Sequence, residues 1–353
     1  MDKKPLKTTC KSIDTGDSLN RRLCAAPMME WSDRFCRYFW RILTKHTLLY
    51  TEMVTTSALL HGDQDRHLRF SAFEHPIAIQ LGGSNPNELM QCAKLCEEWG
   101  YDEINLNVGC PSDRVQNNLM GACLMGHPNL VAECIAAMQS AVDIPVTIKH
   151  RIGIDEQDSY EELWHFVKTV AATGCSTFIV HARKAWLKGL SPKQNREIPE
   201  LKYDTVYQLK QDFPDLEIII NGGIDSIEAC NQHLEHVDGI MIGRAAYQNP
   251  YLLSNADAVF YDDCHAIPSR YEVLEQFLPF VEEEMKNGIY LNHISRHILG
   301  LFQGLPGARK LRRHISENAH KNGATIEIIK EATNLVQQTE KEMLEYKRNL
   351  TNL

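Results

Sequence analysis

Nowhere in its 353 residues does the chain run apolar for the eighteen or more positions a membrane-crossing helix needs. An apolar signal core is missing too, because Lys3, Lys4, Lys7 and Lys11 stand among polar residues at the N-terminus. A reducing cytoplasm is therefore the expected compartment. Close cysteine pairs are scarce: 11 cysteines, an odd number, are scattered along the chain, which fits reduced thiols better than a disulfide framework. Cys92 and Cys96 form the tight spacing. Four apart on a helical pattern, they read as two core-facing side chains, and no further ligands follow at finger-like spacing. A basic excess is also lacking, since the formal net charge is -9, and this disfavours nucleic acid on average. The average conceals segregation, however. Arg183, Lys184, Lys188, Lys193 and Arg196 occur without an intervening acid, and Arg309, Lys310, Arg312 and Arg313 form a second basic cluster.

What is present centres on Asn105 to Ser112, reading Asn-Leu-Asn-Val-Gly-Cys-Pro-Ser. Residues Glu103 to Asn107 alternate like a short strand, and Gly109 and Pro111 then break the ladder around Cys110. A free cysteine usually packs as a small hydrophobe. Cys110 departs from that pattern because breakers flank it and two amides, Asn105 and Asn107, precede it at period two on one face.

Taken in order, the chain repeats one unit. Strands are expected at Arg22 to Pro27, Leu48 to Thr51, Ile77 to Leu81, Glu103 to Asn107, Pro145 to Lys149, Thr177 to His181, Glu217 to Asn221 and Gly239 to Ile242. Helical patterns separate most of them, among them Arg34 to Leu43 with Ser32 or Asp33 as N-cap, and a run from Asn85-Pro86 to Trp99 closed by Gly100. Eight such units over about 250 residues predict an α/β fold, a (β/α)8 TIM barrel. A doubly wound sheet is the rival. The barrel is preferred because Pro27, Glu52, Gln80, Asn107, Lys149, His181, Asn221 and Gly243 mark successive strand ends, which converge on one mouth in a barrel. The expected layout is an N-terminal extension at 1–21, flexible in character, a catalytic barrel at 22–256, a linker at 257–269 and a smaller all-helical domain at 270–353.

Asn221-Gly222-Gly223 and Gly243-Arg244 follow the seventh and eighth strands, where barrels commonly hold a phosphate against exposed N–H groups. Arg244 adds a positive fork. Lys149 and His181 bring donors to the same mouth as Gln80, a set suited to an electron-rich planar cofactor such as a flavin.

With these motifs in place, the chain resembles the tRNA-dihydrouridine synthases. The resemblance runs from Ala26-Pro27-Met28 through Gln80-Leu81, Asn107-Val108-Gly109-Cys110-Pro111-Ser112, Lys149, His181-Ala182-Arg183, Asn221-Gly222-Gly223 and Gly243-Arg244. The Asn-x-Gly-Cys-Pro motif is the most specific part. In finer detail, Ala185 to Pro192 and Gln303 to Arg309 resemble the A subfamily, which acts on uridines 20 and 20a of the D-loop. The resemblance implies an oxidoreductase in which NADPH reduces bound FMN, the flavin passes hydride to C6 of the uracil, and Cys110 protonates C5. It implies FMN contacts from Pro27, Met28, Met29, Gln80, Lys149, His181, Asn221, Gly222, Gly223, Gly243 and Arg244, and a uracil contact from Asn107. A uracil must leave its stack to reach such a site, so Lys193, Arg196, Arg309 and Arg312 are expected on tRNA phosphates. No metal and no obligate protein partner are implied. Two other readings remain open. A small-molecule FMN oxidoreductase of the dihydroorotate dehydrogenase kind has no need of a basic helical domain, and a non-catalytic RNA-binding protein predicts no flavin.

Overall fold

The structure is a computed structural model that describes residues 19–112 and 119–351. Eight parallel strands close into a barrel in simple sequence order: β1 (Leu23–Ala25), β2 (Leu48–Thr55), β3 (Ile77–Gly82), β4 (Glu103–Val108), β5 (Val146–Arg151), β6 (Thr177–His181), β7 (Glu217–Asn221) and β8 (Gly239–Ile242). The expected barrel is what forms. Strands such as Glu217–Asn221, with three consecutive isoleucines, are buried on both faces, as enclosed parallel strands must be.

Two cores result from the strand alternation. The outer core packs strands against helices and contains Phe39, Trp40, Leu106, Phe166 and Phe178. The inner core holds Cys24, Leu48, Tyr50, Ala78, Ile179, Ile219 and Met241. On β4 and β5 the inward positions are instead polar, with Glu103, Asn105, Asn107 and Thr147 all buried.

Capping fixes the helices where the sequence places them. Asp33 accepts hydrogen bonds from the N–H groups of Phe35 and Cys36, at 3.1 and 3.0 Å, and starts helix Arg34–Leu43. Asn85 does the same for Pro86–Glu98, which carries Cys92 and Cys96 fully buried on its core face. Three differences from expectation matter. β2 continues past Glu52 to Thr55 through a register shift between Tyr50 and Met53. β5 continues to Arg151, so Lys149 lies inside a strand rather than at its end. Arg21, counted with the extension, is buried and ion-paired to Glu103 at 2.6 Å and Glu217 at 3.0 Å; residues 1–18 lie outside the described residues.

After β8 the chain is helical, with Arg270–Lys286, Leu291–Ser295, Ala308–Asn318 and Glu327–Thr351. Helix Arg270–Lys286 begins in a capping box between Ser269 and Glu272. This region seats on the first barrel helix. Tyr38 stacks on Phe280 at 3.8 Å, Arg34 pairs with Glu284, and Asp33 accepts from Arg296 at 2.6 Å and His297 at 3.1 Å. The segment leading to it is tied at buried Asp257, which accepts from Thr44 Oγ1 at 2.5 Å and the Lys45 N–H at 2.6 Å. No helix among the described residues is long and apolar enough to cross a membrane.

Candidate active site

The mouth at the C-terminal ends of the strands gathers the residues singled out in the sequence. Cys110 sits half-buried on the loop after β4. Asn107 shapes that loop: its Oδ1 accepts from the N–H groups of Gly109 at 3.1 Å and Cys110 at 3.0 Å, and its Nδ2 donates to Gln80 Oε1 at 2.7 Å. Both ends of the Asn107 amide are thus engaged within the protein. Gln80 itself is 1% exposed and donates through Nε2 to Asn105, so it belongs to the barrel's interior polar network.

Burial raises the Cys110 thiol above its ordinary range, against the opposing pull of the Ser112 N–H and the Arg151, Arg196 and Lys149 charges. It stays protonated at neutral pH. Lys149 is lowered to about 7 by burial and then by Arg151, and its Nζ donates to Asn221 Oδ1 at 3.0 Å. Burial, followed by the charges of Arg151, Lys149, Arg183 and Arg196, pushes His181 well below its usual value. Its ring is therefore neutral at physiological pH. Such mutual depression marks a concentration of positive charge in a poorly solvated place.

Gly222 and Gly223 both have positive φ, 121° and 72°, conformations that favour glycine; Gly223 is exposed at the end of β7, whereas Gly222 is buried. A Cβ on Gly222 would lie 2.7 Å from His181 Cδ2. Gly243 caps the short helix that begins at Arg244. Arg244 pairs with Glu197 at 3.1 Å. Across from it, the Nε of Arg183 is buried and has no hydrogen-bond partner. Two guanidiniums facing one acid, with a donor unspent, fit an incoming anion such as a phosphate. Pro27 and Met28 are half-buried and Met29 is exposed, on the loop after β1, where the Met28 sulfur borders Gly243.

Two residues of this mouth were not among the expected site residues. Arg151, 2% exposed, donates to the Gly109 carbonyl at 2.9 Å and to the carbonyls of Lys184 and Asn195 at 3.0 and 3.1 Å. It joins the cysteine loop to the loop after β6. Its signal was the Lys-x-Arg alternation, which places it on the same face as Lys149 once the strand is extended. Arg183 was visible in the His-Ala-Arg run. Of the basic residues expected outside the mouth, Lys193 and Arg196 are exposed on the β6 loop, and Arg196 is close enough to Cys110 to act on its charge. Arg309 is exposed on helix Ala308–Asn318, whereas Arg312 is half-buried and donates to Gln303 Oε1 at 2.8 Å. Among the described residues one group, His46, Asp257 and Asp263, brings metal-capable atoms within 4.8 Å of one another. It brings His46, on the loop before β2, to Asp257 of helix Ala256–Phe260 and Asp263 just beyond it, and Asp257 is already occupied by Thr44 and Lys45.

Residues 24–339 match the family described as dihydrouridine synthase (Dus). The chain is 61% identical over 326 residues to the tRNA-dihydrouridine(20/20a) synthase of Shewanella oneidensis, covering 92% of this chain and 97% of that one. It is 60% identical to the protein of the same name from Vibrio cholerae, covering 88% and 95%, and 58% identical to that from Escherichia coli K12, covering 89% and 91%. Among solved structures, a 2-naphthoyl-CoA reductase in complex with 2-naphthoyl-CoA superposes with a TM-score of 0.52 at 11% identity, covering 75% of this chain and 55% of that one. That likeness concerns the fold alone.

Proposed function

Because the chain belongs to the dihydrouridine synthase family, we propose that it is an FMN-dependent tRNA-dihydrouridine synthase, an oxidoreductase that uses NADPH to reduce the C5–C6 double bond of uridines 20 and 20a in the D-loop of cytoplasmic tRNA. The observation that carries this reading is the pairing of a protonated Cys110 thiol with a cationic, poorly solvated barrel mouth.

The residues present fit a flavin mononucleotide. Arg183 and Arg244, with the glycine turns of Gly222, Gly223 and Gly243, would hold the phosphate. Pro27, Met28 and Met29 would line one side of the ring system, with Gln80, Lys149, His181 and Asn221 around its polar edge. When bound, FMN supplies the reducing equivalent for C6 of the uracil.

The chain's own residues do the remaining work. Cys110 gives its Sγ proton to C5, and the thiolate left behind is stabilised by Arg151, Lys149 and Arg196 until solvent restores the proton. Asn107 holds the cysteine loop, and the second hydrogen on its Nδ2 is left to meet a uracil carbonyl. Lys193, Arg196, Arg309 and Arg312 would grip phosphates of a tRNA whose target base has left its stack. The helical region at 270–353 serves as the tRNA-binding domain and 22–256 as the catalytic barrel in this reading.

Cys110→Ala provides the test. Flavin reduction by NADPH should proceed at the wild-type rate, while dihydrouridine formation falls by roughly a hundredfold or more, the usual contribution of a general acid. Undiminished product would remove Cys110 from that role, and purified protein that cannot be reconstituted with FMN would overturn the assignment as a whole.

A further inference from the structure

Beneath the cysteine loop runs a single file of buried hydrogen bonds. Arg21 donates to Glu103 Oε2 at 2.6 Å at the lower end of the barrel. Thr147 Oγ1 donates to Glu103 Oε1 at 2.7 Å, Asn105 Nδ2 donates to Thr147 Oγ1 at 2.9 Å, and Gln80 Nε2 donates to Asn105 Oδ1 at 2.8 Å. Asn107 Nδ2 then donates to Gln80 Oε1, and Asn107 Oδ1 receives the Gly109 and Cys110 N–H groups. Glu103 and Asn105 are fully buried, and Gln80 and Thr147 are 1% exposed.

The direction of this file is fixed from both ends. A carboxylate facing a guanidinium can only accept, and a backbone N–H can only donate. Every group between them has one arrangement that satisfies all bonds. If the Asn107 amide were reversed, it would turn its NH2 toward two N–H donors. If Gln80 were reversed, two NH2 groups would face each other at one junction and two oxygens at the other. Buried and unmade, each such junction is strongly unfavourable.

We propose that Thr147 and Asn105, which are remote from the reacting atoms, are positioning residues: they set the orientation of the Asn107 amide and through it hold the loop that presents Cys110. This rests on the reading of Cys110 as the proton donor, but the loop order it claims is measurable without that chemistry.

Thr147→Val removes the acceptor for Asn105 while keeping the shape of the side chain. In flavin-free protein, alkylation of Cys110 by iodoacetamide, mapped by mass spectrometry, should accelerate roughly tenfold, as should hydrogen exchange in the peptide containing Gly109 and Cys110, because one buried donor is left unsatisfied. In the holoenzyme, flavin reduction by NADPH should stay at the wild-type rate. The kcat for oxidation of the reduced enzyme by tRNA should fall roughly tenfold with KM for tRNA unchanged. Thr147→Ser should restore every reading. Tyr50→Phe is the control, since Tyr50 donates to the same Glu103 carboxylate from outside the file and should lower thermal stability without altering alkylation. Asn105→Ser, which spans neither neighbour, takes over should Thr147→Val not fold. Wild-type alkylation and exchange in these variants would overturn the proposal, as would an equal effect in Tyr50→Phe. A wild-type protein that forms no dihydrouridine would instead remove the functional reading and leave the exchange result standing.

Discussion

Lys149 shows what the site asks of a single residue. The unfolded lysine holds its proton up to about 10.5, and the folded one releases it at about 7. Between those values the unfolded chain binds more protons, so stability of the flavin-free protein rises with pH across that window, and the destabilisation is fully present below pH 7. An anion bound in the mouth reverses the balance by favouring the charged form. Lys149→Met should therefore raise the melting temperature of flavin-free protein at pH 6.5 by a few degrees, fading by pH 10, while lowering flavin retention. Melting curves at the two pH values, with flavin absorbance, check both halves. At this scale the sequence was informative where a residue type was unusual for its place, as with Cys110 between two breakers. It was uninformative about partners. Asn107 and Gln80 read as ligand contacts, but no local pattern announces that their amides also bond each other across 27 residues and engage the loop and the interior.

Among elements, the loop after β7 depends on backbone that side chains would obstruct. Gly222 combines a φ of 121° with a Cβ position 2.7 Å from the His181 ring, so Gly222→Ala carries both conformational strain and displacement of a mouth residue. The expected result is a loss of about 1–3 kcal/mol in stability together with weaker FMN binding, measured by denaturant unfolding and fluorescence titration. Tyr203, which donates to the Gly222 carbonyl at 2.8 Å, holds this turn from the start of the preceding helix, Tyr203–Asp212. Elements with a strong cap and a periodic apolar face were legible in the sequence, and Arg34–Leu43 and Thr177–His181 have the expected bounds. Thr56–His61 and Gln64–Leu68 were not, because helices of six and five residues bury only Thr56 and Leu59 in the one and Leu68 in the other, too few for any periodicity to register.

For the molecule as a whole, eight repeats sufficed to predict closure, whereas the seating of the helical region did not follow from sequence. Asp33 meets Arg296 and His297 across more than 260 positions, and those residues have no local signature of the meeting. The helical region nonetheless carries the second basic cluster, and a tRNA spanning both regions would touch it. Charge reversal of Arg309 and Arg312 to Glu should weaken tRNA binding and reduce the salt slope by about one to two, read from affinity across a salt series. Unchanged affinity at every salt concentration would show the cluster to be idle.

The cationic mouth lies within a molecule whose formal net charge is -9, and that contrast bears on competition among RNAs. An evenly basic protein would spend its time adsorbed on whatever polyanion is most abundant. Here long-range repulsion discourages such adsorption, while a short-range attractive area remains where an RNA has the contour to reach it. Discrimination against bulk RNA is in that case exercised before any base is read, and the free enzyme stays available to a minority substrate.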